Sequence, residues 1–164
     1  MRPDIVIVDT SLAVKWVAQE PDSLLALALL SEWSQRAVLL AAPALLAYEV
    51  ANAIHQKVRS SVLPASAAPA VLANFHATGI AFRLPNNATI AAALSTRALE
   101  IARAFGLGAT YDTQFLALAE HEDCEYWTAD RRFFETARQD HPRVKWLGAY
   151  QPPQAQPAGP TPTP

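Results

Sequence analysis

Short runs of apolar residues alternate along this chain with longer amphipathic stretches. Runs typical of buried strands cover residues 5–8, 38–41, 80–84, 125–128 and 144–147. Stretches with helical periodicity lie between them, at residues 11–19, 22–36, 44–60, 65–77, 88–105, 113–122 and 131–138. Because strands separated by helices pair mostly in parallel, we expect an α/β fold, a three-layer α/β/α domain with a mostly parallel five-stranded sheet.

Residues that favour helix ends mark several of these boundaries. Asp22 is placed to cap the second helix, and Pro43 is placed to open the third. Pro69 interrupts the weaker helix at 65–77, and Gly106 closes the long alanine-rich helix at 88–105.

The carboxyl-terminal residues differ in composition from the rest of the chain. Residues 151–164 read QPPQAQPAGPTPTP, and six of these fourteen are proline. Such a segment can neither pack a core nor pair as a strand. We therefore expect one folded domain at 1–150, which suits a chain of 164 residues, followed by a disordered tail at 151–164.

Composition narrows the cellular context and the classes of partner. The one cysteine, Cys124, cannot form an internal disulfide, and no apolar run is long enough for a signal core or a membrane span. These features predict a soluble cytoplasmic protein that does not contact a membrane. The formal net charge of −2 argues against a broad nucleic-acid-binding surface. An acidic pocket can still bind a phosphate chain where metal ions reverse its sign.

Two aspartates directly follow predicted strands and precede predicted helices. Asp9 ends the run IVIVD, and Asp130 lies between EYWTA and RRFFETAR. Helix capping alone accounts for either residue. However, parallel strands that each end in aspartate bring both carboxylates to one edge of the sheet, where ligands bind in such folds. If these two strands are neighbours, both aspartates face one crevice.

Two further acids have less obvious positions. Asp112, just before the helix at 113–122, is either a cap or a first-turn acid that favours the helix dipole. That helix has an apolar face, so its start is expected near the same crevice. Glu49 lies inside the helix at 44–60, at the edge of its apolar stripe. Its alternatives are a solvated position or an ion pair with Lys57 or Arg59.

The types of these side chains bear on the metal that they would bind. Four carboxylates with no nearby histidine or cysteine pair fit magnesium, or manganese, better than zinc. The histidines show no metal-ligand spacing and are interpreted as surface or packing residues: His55, His76, His121 and His141.

Four segments in order, VDTSLAVKW, YEVANAI, TYDTQFLALAE and WTAD, resemble the PIN-domain nucleases, and most closely the VapC toxins of bacterial toxin–antitoxin pairs. The resemblance spans nearly all of residues 4–148. It implies an acidic quartet of metal-binding and catalytic residues, Asp9, Glu49, Asp112 and Asp130. It also implies supporting polar groups at Ser11, Thr128 and Asn52. The proline-rich tail lies outside the family pattern.

The resemblance further implies a Mg²⁺-dependent endoribonuclease, with Mn²⁺ as an alternative ion, that hydrolyses RNA phosphodiester bonds with metal-activated water and leaves a 5′-phosphate. The implied partners are an RNA substrate, a cognate antitoxin protein and a second copy of the chain, forming a homodimer. Lys15, Arg131 and Arg132 are candidate contacts to flanking RNA phosphates, or else solvated charges on helix faces. Trp16 and Trp127 either stack on bases or, as the better-supported alternative, belong to the core.

Other functions remain open from the residues alone. One is another metal-dependent phosphate hydrolase, although Asp9-Thr10-Ser11 lacks the second acid of the Asp-x-Asp motif of haloacid-dehalogenase-like phosphatases. A P-loop or dinucleotide fingerprint is absent, because no glycine precedes Gly79. The remaining alternative is a PIN-like module that binds a partner protein or RNA without catalysis.

Overall fold

Strands and helices alternate along the chain in a computed structural model that describes residues 4–153. The strands are β1 (Ile5–Val8), β2 (Leu39–Pro43), β3 (Ala81–Arg83), β4 (Glu125–Thr128) and β5 (Val144–Trp146). The α-helices are α1 (Thr10–Ala13), α2 (Ser23–Gln35), α3 (Leu45–Arg59), α4 (Ala68–His76), α5 (Ala88–Ala104), α6 (Tyr111–Glu122) and α7 (Arg131–Ala137). Short 3₁₀ turns occupy Val14–Trp16, Ala65–Ala67 and Leu147–Ala149.

The five strands form one parallel sheet in the order β3-β2-β1-β4-β5. The prediction of a mostly parallel five-stranded sheet is confirmed, and within residues 4–153 every strand pair is parallel. β1 and β4 are neighbours, with Val8 paired to Trp127. The two strands that precede Asp9 and Asp130 therefore end side by side, which is the condition for a shared crevice.

Aromatic contacts show which helices cover each face of the sheet. Tyr126 and Trp127 are consecutive residues of β4, so their side chains point to opposite faces. The Tyr126 ring stacks on Phe115 of α6 with 6.2 Å between centroids, and Trp127 meets Trp33 of α2 edge-on at 5.5 Å. Helices α6 and α2 therefore lie on opposite faces, and the expected three-layer α/β/α arrangement is confirmed.

Helix α6 is buried around most of its circumference. Its residues from Phe115 to Ala119 are all buried, because it packs on the sheet with one side and against α5 with the other. An ion pair from Arg97 of α5 to Glu120, with Nε to Oε2 at 2.6 Å, closes the outer edge of this contact. This double packing fixes the start of α6 relative to the strand ends.

Two helix starts differ from the sequence prediction. The helix expected at 11–19 is a single α-turn that continues as a 3₁₀ turn to Trp16. Asp22 precedes α2 in a left-handed conformation with φ of 66°, and its side chain makes no capping hydrogen bond. The hydroxyl of Ser23 instead accepts a bond from the Glu20 amide at 3.0 Å.

The predictions for the two prolines, that Pro43 opens a helix and that Pro69 interrupts one, are both wrong. Pro43 is the last residue of β2, and α3 begins two residues later. Pro69 lies in the first turn of α4, where its missing N–H is tolerated, so it does not interrupt that helix. Gly106 follows α5 with φ of +63°, a conformation that glycine adopts readily and that ends the helix as predicted.

The predicted tail lies almost entirely outside the described residues. Residues 151–153 have no regular secondary structure, and 154–164 are not described. Among the helices within 4–153, none has both the length and the apolar character that crossing a bilayer requires.

Candidate metal centre

Asp9 is the most deeply buried of the four acids, with 3% of its surface exposed. It caps α1, since its Oδ1 accepts hydrogen bonds from the Leu12 amide at 3.0 Å and from the Ser11 hydroxyl at 2.8 Å. The phenol of Tyr126 donates to Oδ2 at 3.0 Å. Asp9 therefore caps α1 and also lies at the edge of the sheet, so the capping interpretation and the sheet-edge interpretation are both correct for its position.

The environment of Asp9 acts on its ionisation in two opposing directions. Burial raises the pKa of this carboxyl above its ordinary value, because the charged form loses hydration. The hydroxyls of Thr128 and Ser11, the Leu12 amide and the Tyr126 phenol act against that rise. These donors stabilise a charge that a deeply buried side chain would otherwise shed.

A pair of hydroxyls joins the ends of β1 and β4. Ser11 Oγ accepts a bond from the Ala129 amide at 2.8 Å and lies 3.2 Å from Thr128 Oγ1. Thr128 Oγ1 in turn accepts from the Asp130 amide at 2.9 Å. Ser11 and Thr128 thus hold the residues that carry the two aspartates at a fixed separation.

Asp130 caps α7 at the exposed end of this arrangement. Its Oδ1 accepts from the amides of Arg132 at 2.7 Å and Phe133 at 3.1 Å. Both capping bonds use the same oxygen, so Oδ2 is left for another partner.

Glu49 reaches the same edge from α3. The hydroxyl of Thr10 donates to its Oε2, which links this carboxylate to the residue after Asp9. The predicted alternative of an ion pair with Lys57 is wrong, because Lys57 instead contacts Glu20. Partial burial raises the pKa of Glu49, and the nearby charge of Asp112 raises it further.

Asp112 lies in the first turn of α6, one of the two positions that its sequence allowed. Although the residue as a whole is exposed, the protein around its carboxylate removes part of its hydration and raises its pKa to about 6. The charges of Asp9 and Asp130 add to this rise. Asp112 therefore interacts electrostatically with each of the other three carboxylates, those of Asp9, Asp130 and Glu49.

The chemistry of this donor set fits a hard divalent cation. Its donors are carboxylate oxygens, and the ion pairs within residues 4–153 link none of the four to a lysine or arginine. Over the same residues, no three acidic, histidine or cysteine side chains are already arranged around one point as metal ligands. Magnesium keeps several of its waters and takes one or two carboxylates directly, so it does not require three protein ligands around one point.

The predicted RNA contacts differ in their surroundings. The Lys15 ammonium contacts Glu20 Oε2 at 3.3 Å and the Pro21 carbonyl at 2.7 Å, and its side chain is 12% exposed. The Arg131 guanidinium lies 5.3 Å from the centre of the Trp146 ring. Arg132 is exposed at the start of α7. Lys15 is thus already engaged, and so is Arg131, which also pairs with Glu135 at 3.9 Å, whereas Arg132 faces solvent next to Asp130.

The remaining candidates make no hydrogen bond to the four carboxylates within residues 4–153. Asn52 is exposed on α3, one turn after Glu49. Trp16 is buried, and Trp127 packs against Trp33, as the core interpretation of both tryptophans predicted. Burial raises the pKa of Cys124 to about 11, so its thiol stays protonated at neutral pH.

Two participants were missed from the sequence. They are Thr10, whose hydroxyl donates to Glu49, and Tyr126, whose phenol donates to Asp9. The signal for Tyr126 was present, since it lies two residues before Thr128 in a strand and must share its face. No sequence signal distinguished the Thr10 hydroxyl from any other hydroxyl at a helix start.

Comparison with known proteins identifies the family of this chain. The PIN domain family model matches residues 6–139, and the chain therefore belongs to the PIN domain family. Proteins of this family are typically nucleases that use divalent metal ions such as Mg²⁺.

A solved structure similar to this chain is the crystal structure of PAE2754 from Pyrobaculum aerophilum. It is 22% identical over 81% of this chain and 84% of that chain, with a TM-score of 0.55, a likeness that shows a shared fold. No sequence among curated proteins matches this chain at a significant level.

Proposed function

We propose that this protein is a Mg²⁺-dependent endoribonuclease that acts as the toxin of a type II toxin–antitoxin pair. The observation that carries the nuclease part is the convergence of Asp9, Glu49, Asp112 and Asp130 at one edge of the sheet. These acids come from four separate segments and repel one another without a bonded cation. Helix capping requires neither the convergence nor the repulsion.

The side chains divide the work in this proposal. A bound ion would lower the pKa of a water molecule and neutralise the scissile phosphate. Asp9, held by several donors, would provide a fixed oxygen ligand, and the more exposed Asp112 and Asp130 would supply further oxygen ligands for the ion. Glu49, oriented by Thr10, positions the attacking water. Ser11 and Thr128 keep the two strand ends in register.

The toxin part rests on the resemblance of four ordered segments to VapC proteins. It predicts a cognate antitoxin and a homodimer as partners. The test is co-expression with the product of an adjacent small upstream gene, followed by size-exclusion chromatography with light scattering. A stable mixed complex whose nuclease activity is suppressed is the expected result, and a chain that stays active and alone in the mixture would contradict the toxin assignment.

The nuclease part is tested by incubating the purified chain with a panel of structured and single-stranded RNAs. We expect cleavage with Mg²⁺ or Mn²⁺, no cleavage with chelator, and a loss of about 100-fold in Asp112→Asn, the upper end of the range for removing a side chain that supports a metal ion. The matched control is Asp140→Asn, which changes an exposed aspartate after α7 and is expected to cleave normally.

Two outcomes would count against the proposal. Equal cleavage by wild type and Asp112→Asn would indicate a contaminating nuclease. RNA binding without cleavage under every metal condition would favour the alternative of a binding module.

A further inference from the structure

Tyr126 is a buried phenol in direct contact with the most deeply buried of the proposed metal ligands. None of its surface is exposed. Its hydroxyl donates to Asp9 Oδ2 at 3.0 Å, which joins β4 to the residue at the end of β1. Its ring packs against Phe115 and Phe133, with centroid distances of 6.2 and 5.7 Å. These aromatic contacts hold the ring, and they therefore hold the hydroxyl at one point beside Asp9.

The Tyr126 hydroxyl remains a hydrogen-bond donor at neutral pH. Burial raises the pKa of this phenol well above its ordinary value, and the charges of Asp9 and Asp112 raise it further. The phenol therefore stays protonated where the carboxylates are charged, and its single proton is directed at Asp9. Because Asp112 also acts on its pKa, the hydroxyl lies within electrostatic range of two of the four acids.

The hydrogen bonds to Asp9 occupy its two oxygens unequally. A carboxylate offers about four acceptor sites, two on each oxygen. Oδ1 accepts from the Leu12 amide at 3.0 Å and from the Ser11 hydroxyl at 2.8 Å, which uses both of its sites. Among the hydrogen bonds within residues 4–153, Oδ2 accepts only the one from Tyr126. Oδ2 is therefore the oxygen with an acceptor site left for a cation.

One more hydroxyl lies near Asp9 without changing this count. Thr128 acts on the pKa of Asp9, and its oxygen lies 3.2 Å from that of Ser11. Since the one proton of the Ser11 hydroxyl goes to Asp9 Oδ1, Thr128 is the donor in its contact with Ser11. The Thr128 proton is thus directed at Ser11, and Oδ2 is left to Tyr126.

We propose that Asp9 binds the divalent cation through Oδ2 alone, and that Tyr126 is the positioning residue that orients this oxygen. The inference rests on the proposed metal-dependent nuclease function and adds the ligand atom and the side chain that directs it. A hydrogen bond to a ligating carboxylate fixes its orientation, so the cation meets an oxygen that is already in place. Without the phenol, the carboxylate is held at Oδ1 only and Oδ2 is free to turn. Tyr126 acts through Asp9 and takes no direct part in bond cleavage.

The test compares the loss of two tyrosine hydroxyls that each bond a carboxylate. Tyr126→Phe removes the bond to Asp9 and keeps the aromatic ring and its packing. Tyr150→Phe is the matched control, because the Tyr150 hydroxyl donates to Glu32 Oε2 at 2.8 Å and Glu32 is not one of the four acids.

Metal affinity is the main readout of this comparison. Circular dichroism first verifies that each protein is folded at the assay temperature. Mn²⁺ binding is then titrated by the loss of the electron paramagnetic resonance signal of the free ion. We expect the Kd for Mn²⁺ to rise about 10-fold in Tyr126→Phe, the lower end of the range for removing a group that supports a metal ligand. The Kd should stay unchanged in Tyr150→Phe.

Three further readouts separate the orientation of Oδ2 from a purely structural role. Mn²⁺ should shift the near-ultraviolet absorption of tyrosine in wild type, because a cation on Oδ2 weakens that oxygen as an acceptor, and Tyr126→Phe should lack this shift. para-Aminophenylalanine in place of Tyr126 keeps a donor at the same position and should recover most of the Mn²⁺ affinity. In cleavage assays Tyr126→Phe should need about 10-fold more Mn²⁺ for half-maximal rate and reach nearly the wild-type kcat at saturation.

Several results would overturn the inference. One is unchanged Mn²⁺ affinity in Tyr126→Phe, and another is an equal loss in Tyr150→Phe, which would indicate a general effect on the fold. If Tyr126→Phe does not fold, the absorption titration of wild type decides, and the absence of a tyrosine shift on Mn²⁺ binding rejects Oδ2 as the ligand atom. Binding of Mn²⁺ by wild type and not by Asp9→Asn would keep the proposed metal site even where Tyr126 is dispensable. A wild type that binds no divalent ion would overturn both proposals.

Discussion

Replacing Asp112 with asparagine should make the metal-free protein more stable at neutral pH. In wild type this carboxylate is charged above its pKa of about 6, close to the charges of Asp9 and Asp130. Asparagine has nearly the same shape and carries no charge, so it removes the repulsion. Within residues 4–153 the Asp112 carboxylate accepts no recorded hydrogen bond, so the substitution breaks no contact of the folded chain.

The size of the gain follows from the shift in ionisation. The rise in the pKa of Asp112 from 3.8 to about 6 corresponds to about 3 kcal/mol of free energy of unfolding, at 1.36 kcal/mol per pKa unit. Solvent screens the charge of a residue that is exposed as a whole, so we expect a smaller gain. The free energy of unfolding should rise by about 1–2 kcal/mol in Asp112→Asn, which is about 2–8 °C in Tm for a chain of this size.

The direction of the pH dependence is also fixed by the raised pKa. Between pH 3.8 and about 6 the folded chain keeps a proton on Asp112 that the unfolded chain has lost. The free energy of unfolding of wild type therefore falls as pH rises from 3.8 to about 6. Above about pH 6 the charged Asp112 destabilises the folded chain by the full amount. Thermal melts in chelator should show the Asp112→Asn variant above wild type at pH 8 and level with it at pH 4.

Asp140→Asn serves as the matched control and should follow wild type at both pH values. A variant that is less stable than wild type at pH 8 would refute the argument. So would a stability gap of equal size at pH 4 and pH 8, since that gap could not come from ionisation.

Substitutions at three other residues test separate parts of the site. Mg²⁺ should raise the Tm of wild type, and most of that shift should vanish in Asp9→Asn; equal shifts in the two proteins would reject Asp9 as a ligand. Asp130→Asn should keep the cap of α7 and the stability of the chain, while RNA cleavage falls. Asp130→Ala should also lose about 1 kcal/mol of the free energy of unfolding measured in urea. Equal stability of the two variants would contradict the capping role. Tyr126→Phe removes a hydrogen-bond donor to the buried Asp9 carboxylate. The free energy of unfolding measured in urea at pH 7 should fall by about 1–3 kcal/mol. An unchanged urea midpoint would show that this hydrogen bond is dispensable.

The sheet was predictable because its strands carry a strong local signal. Residues 5–8 and 125–128 are bounded as predicted, since the first is a β-branched run that ends before Asp9 and the second contains the aromatic pair Tyr126-Trp127 followed by Thr128. Strand order was not readable from single residues. The adjacency of β1 and β4 depends on packing across the chain, and that adjacency brings the two strand-end aspartates together.

The errors in the fold come from tertiary contacts that override local preference. The helix expected at 11–19 ends early, and Trp16 turns inward to donate from Nε1 to the Ala26 carbonyl at 3.1 Å. Asp22 is a residue type that favours helix caps, but its backbone is in a left-handed conformation and its side chain makes no capping bond. The Ser23 hydroxyl instead accepts a hydrogen bond from the Glu20 amide. Capping preferences indicate where a helix begins to within a few residues and do not identify the side chain that closes it.

For the site, residue type predicted the acids and left their partners unknown. The strand-end aspartates could be found because parallel strands share an edge. The orientation of Glu49 by Thr10, and the phenol of Tyr126 under Asp9, depend on side chains from different segments meeting in space. The sequence contains these residues without indicating that they touch.

The unequal support of the carboxylates has a consequence for ion exchange. Asp9 is immobilised by bonds to both of its oxygens, while Asp112 projects from a helix start without such restraint. A metal site with one fixed carboxylate and one less restrained carboxylate could adjust to ions of different radius. Such a site discriminates poorly by size, so the choice between manganese and magnesium would follow their supply in the cell.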